Sequence, residues 1–96
     1  MYGVELRPPA RDAIKSKKNA ALKQAVDEQV RKILQNPYKA EAKEGDLKGV
    51  RVHDFPFSGA KFSMAYDIDE DRQVIILLQI GPHENFYKRL KRYLFG

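Results

Sequence analysis

His53 and His83 are the only two histidines in this 96-residue sequence, and histidine is the residue that exchanges protons near neutral pH without a large pKa shift. Arg51 stands two residues before His53 in a run that alternates like a strand, so both side chains are expected on one strand face, about 6–7 Å apart. Lys61 and Ser63 hold the outward positions of the next alternating run. His83 follows Gly81-Pro82, and Tyr87 lies one helical turn further on if a helix begins near His83. Imidazoles, fixed cations and a phenol suit cleavage of RNA by its own 2′-hydroxyl. That reaction needs a group to take the 2′ proton, positive charge beside the phosphorane, and an acid for the leaving 5′-oxygen. Tyr87 can stack on a base, orient a phosphate or donate a proton. Each residue also has a plain structural use. Arg51 suits a solvated strand, His53 the surface beside Asp54, His83 the start of a helix, and Tyr87 the edge of a core. Only their convergence on one face makes the chemical reading specific.

That convergence depends on the elements that carry them. Tyr2, Val4 and Leu6 alternate with Gly3, Glu5 and Arg7 as a short strand, which Pro8-Pro9 ends. Ala10 to Lys17 is predicted to be a short helix. Asn19 is placed to cap a longer one, whose apolar stripe runs through Leu22, Val26, Val30 and Ile33 until Asn36-Pro37 stops it. Residues 38–46 are polar and predicted to be a loop. Leu47 to Phe57, Lys61 to Asp69 and Val74 to Ile80 then read as three strands joined by short turns, an antiparallel meander. From Glu84 to Leu94, Phe86, Leu90 and Leu94 share one face of a short C-terminal helix. The expected fold is α+β in the order β-α-α-β-β-β-α, with the N-terminal helix hairpin on one sheet face. The other face is expected to be partly open and to carry Arg51, His53, Lys61, His83 and Tyr87.

Composition sets the limits. Hydrophobic residues make up 43% and charged residues 32% of the chain, the balance of one small globular domain spanning residues 1–96. The absence of Cys excludes disulfides and thiolate zinc sites, and no metal or cofactor is expected. No run approaches the length of a membrane helix. The N-terminus has no basic segment followed by an apolar one, so a cytoplasmic location is expected. Eighteen Lys and Arg against thirteen Asp and Glu give a net charge of +5, which biases the domain toward polyanions or an acidic protein partner. Lys48, Lys88, Arg89, Lys91 and Arg92 are the candidates for contact with an RNA backbone.

Three stretches carry a family resemblance. Leu47-Lys48-Gly49-Val50-Arg51-Val52 resembles the L-x-G-x-(K/R)-(V/I) segment of the RelE/ParE superfamily of bacterial toxins. Phe62 to Ile68 resembles the (Y/F)-R-(L/V)-x-Y strand after it, and Val74 to Tyr87 resembles the ending V-x-(I/V)-L-x-I-G-x-(H/R)-x-x-x-Y. The resemblance implies a microbial RNase-like fold and the toxin of a type II toxin–antitoxin pair. RelE-like members cut mRNA on the ribosome; ParE-like members poison DNA gyrase. In the ribosome-dependent members, basic strand residues, a post-strand Arg or His and a helix Tyr act on RNA. Arg51 and His53 match the strand basics, His83 the post-strand position and Tyr87 the tyrosine. The third strand departs from the pattern, with Ser63 where Arg is usual and Lys61 two residues earlier. The resemblance thus implies an mRNA endoribonuclease acting by acid–base chemistry, with the ribosome, mRNA and a cognate antitoxin as partners. The toxin–antitoxin complex is expected to reach operator DNA through the antitoxin. A gyrase inhibitor, or a weakly active antitoxin-binding member, is the alternative.

Overall fold

The computed structural model describes all 96 residues. The N-terminal strand β1 (Gly3–Leu6) leads into α1 (Pro8–Ile14), a single 3-10 turn at Lys17–Asn19, and α2 (Ala20–Gln35). A second 3-10 turn, Gly45–Leu47, precedes β2 (Arg51–Phe57), β3 (Ala60–Asp69), β4 (Val74–Pro82) and α3 (Phe86–Phe95). Pro8 and Pro9 occupy the first helical positions of α1, where a missing N–H costs nothing. Asn19 flanks α2 as expected, but its side-chain amide donates to the Ala13 carbonyl at 2.9 Å. It therefore ties the two helices together instead of capping the second.

The four strands lie in the order β1-β4-β3-β2. β2, β3 and β4 form the antiparallel meander, and β1 joins the far edge parallel to β4. Ser58 and Gly59 turn the first hairpin with φ of 52° and 76°. Positive φ at both central residues is the geometry whose twist matches a two-residue hairpin. The 38–46 segment is more ordered than its composition suggests. Lys43 exchanges backbone hydrogen bonds with Val50 and Gly49, and Ala42 bridges to Arg51.

The sheet is covered on both faces. On one, α1 and α2 bury Ala10, Val26 and Ile33 against Phe55, Met64, Tyr66, Ile75, Leu77 and Ile80. On the other, Phe86 and Leu90 of α3 pack with Leu47, Val50, Ala65, Ile76 and Leu78. β4 feeds both cores and is buried nearly throughout, as a central strand must be. A bulge sits where the register jumps from Ala65↔Gln79 to Tyr66↔Leu77. It lets Ile80 return to the hairpin face although Leu78 faces α3.

Candidate functional site

The second core decides where the expected site residues go. Val52 of β2 packs against the α3 cluster, whereas Phe55 belongs to the hairpin cluster. Period two then carries Arg51 and His53 toward α1 and α2 with Phe55, and Asp54 to the opposite face with Val52. Arg51 and His53 are therefore not on the face expected for them. Arg51 donates to the Ala40 carbonyl at 2.5 Å, and its guanidinium lies 5.0 Å from the centre of the Tyr38 ring. It braces the 38–46 segment. His53 Nε2 is 2.7 Å from Gln29 Oε1 on α2, so this nitrogen carries the proton and donates. Burial pushes the His53 pKa down, and the Lys32 and Lys39 ammoniums add to the effect against the opposing Asp54 carboxylate. His53 lines a hollow of about 700 Å³ together with Lys32, Lys39 and Tyr66, and neither His83 nor Tyr87 borders it.

His83, Tyr87 and Lys61 do share a face. The His83 backbone N–H donates to the Lys61 carbonyl at 2.8 Å, which pins the turn after β4 to the start of β3. The His83 ring meets Tyr87 edge-on, with centroids 6.0 Å apart. Its Nδ1 lies 2.8 Å from the hydroxyl of fully buried Ser63, and that hydroxyl is 2.7 Å from Asp54 Oδ1. The Lys61 ammonium pairs with the other oxygen of Asp54 at 3.4 Å. Lys43, from the segment before β2, places its ammonium 5.4 Å from the Tyr87 ring centre. Sequence reading missed Lys43 and Asp54. Lys43 gave no signal in a polar loop. Asp54 was legible only through its parity with Val52, had the second core been foreseen.

The basic residues of α3 divide. Arg89 is not a free contact. Its two terminal nitrogens donate to the carbonyls of Glu84 (2.9 Å) and Pro82 (2.8 Å), clasping the turn that carries His83. Gly81 leaves room for this, since a Cβ there would stand 3.1 Å from the guanidinium. Lys91 pairs with Asp46 at 3.2 Å. Lys48, Lys88 and Arg92 are exposed and make no ion pair. No cluster of His, Cys, Asp and Glu could hold a metal ion. No helix is long and apolar enough to cross a membrane.

A sheet in the order β1-β4-β3-β2, sandwiched by an N-terminal helix hairpin and a C-terminal helix, is the architecture of RelE toxins. The isolated RelE toxin of E. coli superposes with a TM-score of 0.65 over 96% of this chain and 98% of its own, at 13% identity. The toxin in the intact RelBE toxin–antitoxin complex of E. coli gives 0.66 over 85% and 96%, at 11% identity. The RelBE2 toxin–antitoxin complex of Mycobacterium tuberculosis gives 0.68 over 85% and 98%, at 16% identity. At sequence level, residues 4–91 match the family model described as ParE-like toxin of type II bacterial toxin-antitoxin system. The chain belongs to that family and, through it, to the RelE/ParE superfamily. No curated protein sequence matches it.

Proposed function

We propose that this toxin is a ribosome-dependent endoribonuclease that arrests translation by cutting mRNA, with His83 taking the proton of the attacking 2′-hydroxyl. The observation that carries the reading is the grouping of His83, Tyr87, Lys61 and Lys43 on one face. The His83 ring is anchored through Nδ1, and its Nε2 makes no hydrogen bond within the protein. An anchored imidazole with one free nitrogen has the form of a general base. Tyr87 offers an aromatic edge and a hydroxyl to hold the nucleotide, while the two ammoniums oppose charge building on the phosphorane. His53, engaged with Gln29 on the other face, is left out of the chemistry. Arg51 is left out as well. Lys48, Lys88 and Arg92 remain as contacts for the ribosomal RNA backbone, and their contribution should weaken as salt rises. The partner that restrains the toxin is a cognate antitoxin with a segment acidic enough to answer the +5 charge. The test is purified toxin with programmed ribosomes and an mRNA read by primer extension. Discrete cuts in the message are expected. An intact message at doses that arrest growth would end this reading.

Gyrase inhibition is the second reading. It is favoured by the ParE-like description of the matching family and by the loss of Arg51 and His53 from the site. Inhibition by binding needs no proton transfer, so growth arrest would then survive His83→Ala.

A further inference from the structure

Ser63 stands where the superfamily resemblance favours Arg, and its environment assigns it a different task. The side chain is completely buried, and its hydroxyl touches Asp54 Oδ1 at 2.7 Å and His83 Nδ1 at 2.8 Å. One hydroxyl has one proton to give, and an ionised carboxylate can only accept. Ser63 must therefore donate to Asp54 and accept from His83, which places the imidazole proton on Nδ1. Nε2 is left with its lone pair. Ser63 pairs across the ladder with Gly81, two residues before His83, so the register of β3 and β4 sets the hydroxyl beside the turn that carries the imidazole. Lys61, on the second oxygen of Asp54 at 3.4 Å, holds the carboxylate from the other side.

We propose that Asp54, acting through Ser63, is a positioning residue that keeps His83 in its Nδ1–H form, ready to accept a proton at Nε2. The proposal rests on the RNA-cleavage reading for its chemical use. As the 2′-oxygen bonds to phosphorus, its proton passes to Nε2. The bond from phosphorus to the 5′-oxygen breaks, and that oxygen takes a proton from water. The products are a 2′,3′-cyclic phosphate and a 5′-hydroxyl, and the imidazolium returns its proton to the hydroxide left in solution. During this cycle the Asp54 charge, relayed by the Ser63 hydroxyl, stabilises the imidazolium.

The tautomer can be read without any RNA. With only two imidazoles in the chain, nitrogen-15 NMR of the neutral rings resolves both. Wild type should show His83 protonated at Nδ1. Asp54→Ala frees the Ser63 hydroxyl to donate to Nδ1 and should move the proton to Nε2. Because Asp54 is exposed, this variant is expected to keep its fold. Ser63→Ala removes the bridge but leaves Asp54 Oδ1 3.9 Å from Nδ1, so the Nδ1–H preference should weaken without reversing. Wild-type His83 protonated at Nε2, or Asp54→Ala with the proton still on Nδ1, overturns the relay. In the ribosome assay Asp54→Ala should lower kcat about 100-fold with KM nearly unchanged. Added to His83→Ala it should cost nothing more, and a further loss there would show that Asp54 acts by another route. No cleavage by wild type refutes the use of the relay in RNA chemistry, while the NMR result still decides whether the relay exists.

Discussion

Arg89→Ala separates a structural brace from an RNA contact, two roles that sequence cannot tell apart. The guanidinium makes two charge-assisted hydrogen bonds, to Pro82 O at 2.8 Å and Glu84 O at 2.9 Å. A hydrogen bond to a charged group contributes about 1.5–3 kcal/mol when well buried. Both bonds are exposed to solvent and water can replace part of each, so the pair is discounted to a total of about 1–2 kcal/mol. For a domain of this size that corresponds to a fall in Tm of roughly 5–12 °C by calorimetry or circular dichroism. Arg89→Lys should recover little of it, because an ammonium cannot reproduce the planar fork that spans two carbonyls. Lys88→Ala and Arg92→Ala, on the exposed side of the same helix, should stay within about 0.5 kcal/mol of wild type. Replacing all the basic residues of α3 at once would therefore mix a folding defect with any binding defect. An Arg89→Ala protein with wild-type Tm and weakened ribosome binding would refute the brace.

Phe86→Ala should cost about 3–5 kcal/mol in chemical denaturation, since this fully buried ring anchors α3 on the sheet; a loss below about 1 kcal/mol would show that α3 is not held by its core. Tyr66→Phe removes the 2.6 Å hydrogen bond from the phenol to the Pro37 carbonyl and should cost about 1 kcal/mol, with faster amide hydrogen exchange in residues 38–40. For His53, burial holds the folded-state pKa below the unfolded value, so the unfolded chain binds the proton first as pH falls. Stability should be unaffected by this group above about pH 6.5 and decline as pH drops below it. His53→Gln should flatten that part of a Tm-against-pH curve.

The meander and α3 were legible because their alternation and helical spacing are clean, with Phe62, Met64, Tyr66 and Ile68 on one side of a strand and Phe86, Leu90 and Leu94 on one side of a helix. The partner of β1 was not. Alternation tells which side chains share a face but not which strand lies alongside, and the parallel pairing of Gly3–Leu6 with β4 depends on the helices between them. The misplacement of Arg51 and His53 has a single physical cause. A sheet with one covered face would put Val50 and Val52 inward and the polar pair outward. Here both faces are covered, Val50 and Val52 belong to the α3 core, and the polar pair lies on the hairpin side at the edge strand, where it finds Ala40 and Gln29. His83 and Tyr87 are placed together by the turn and helix that follow β4, which are local features, and Lys61 joins them through the β3–β4 hairpin, whose pairing the two alternating runs make legible. The Asp54–Ser63 link was not legible, because it joins two strands across a register that only folding fixes.

The most direct measurement compares single-turnover cleavage of ribosome-bound mRNA by wild type, His83→Ala and His53→Ala. Cleavage by wild type and His53→Ala, with a fall of about 100-fold or more for His83→Ala, is the expected result. Cleavage by His83→Ala at the wild-type rate would contradict the assignment of the proton acceptor and the site built around it.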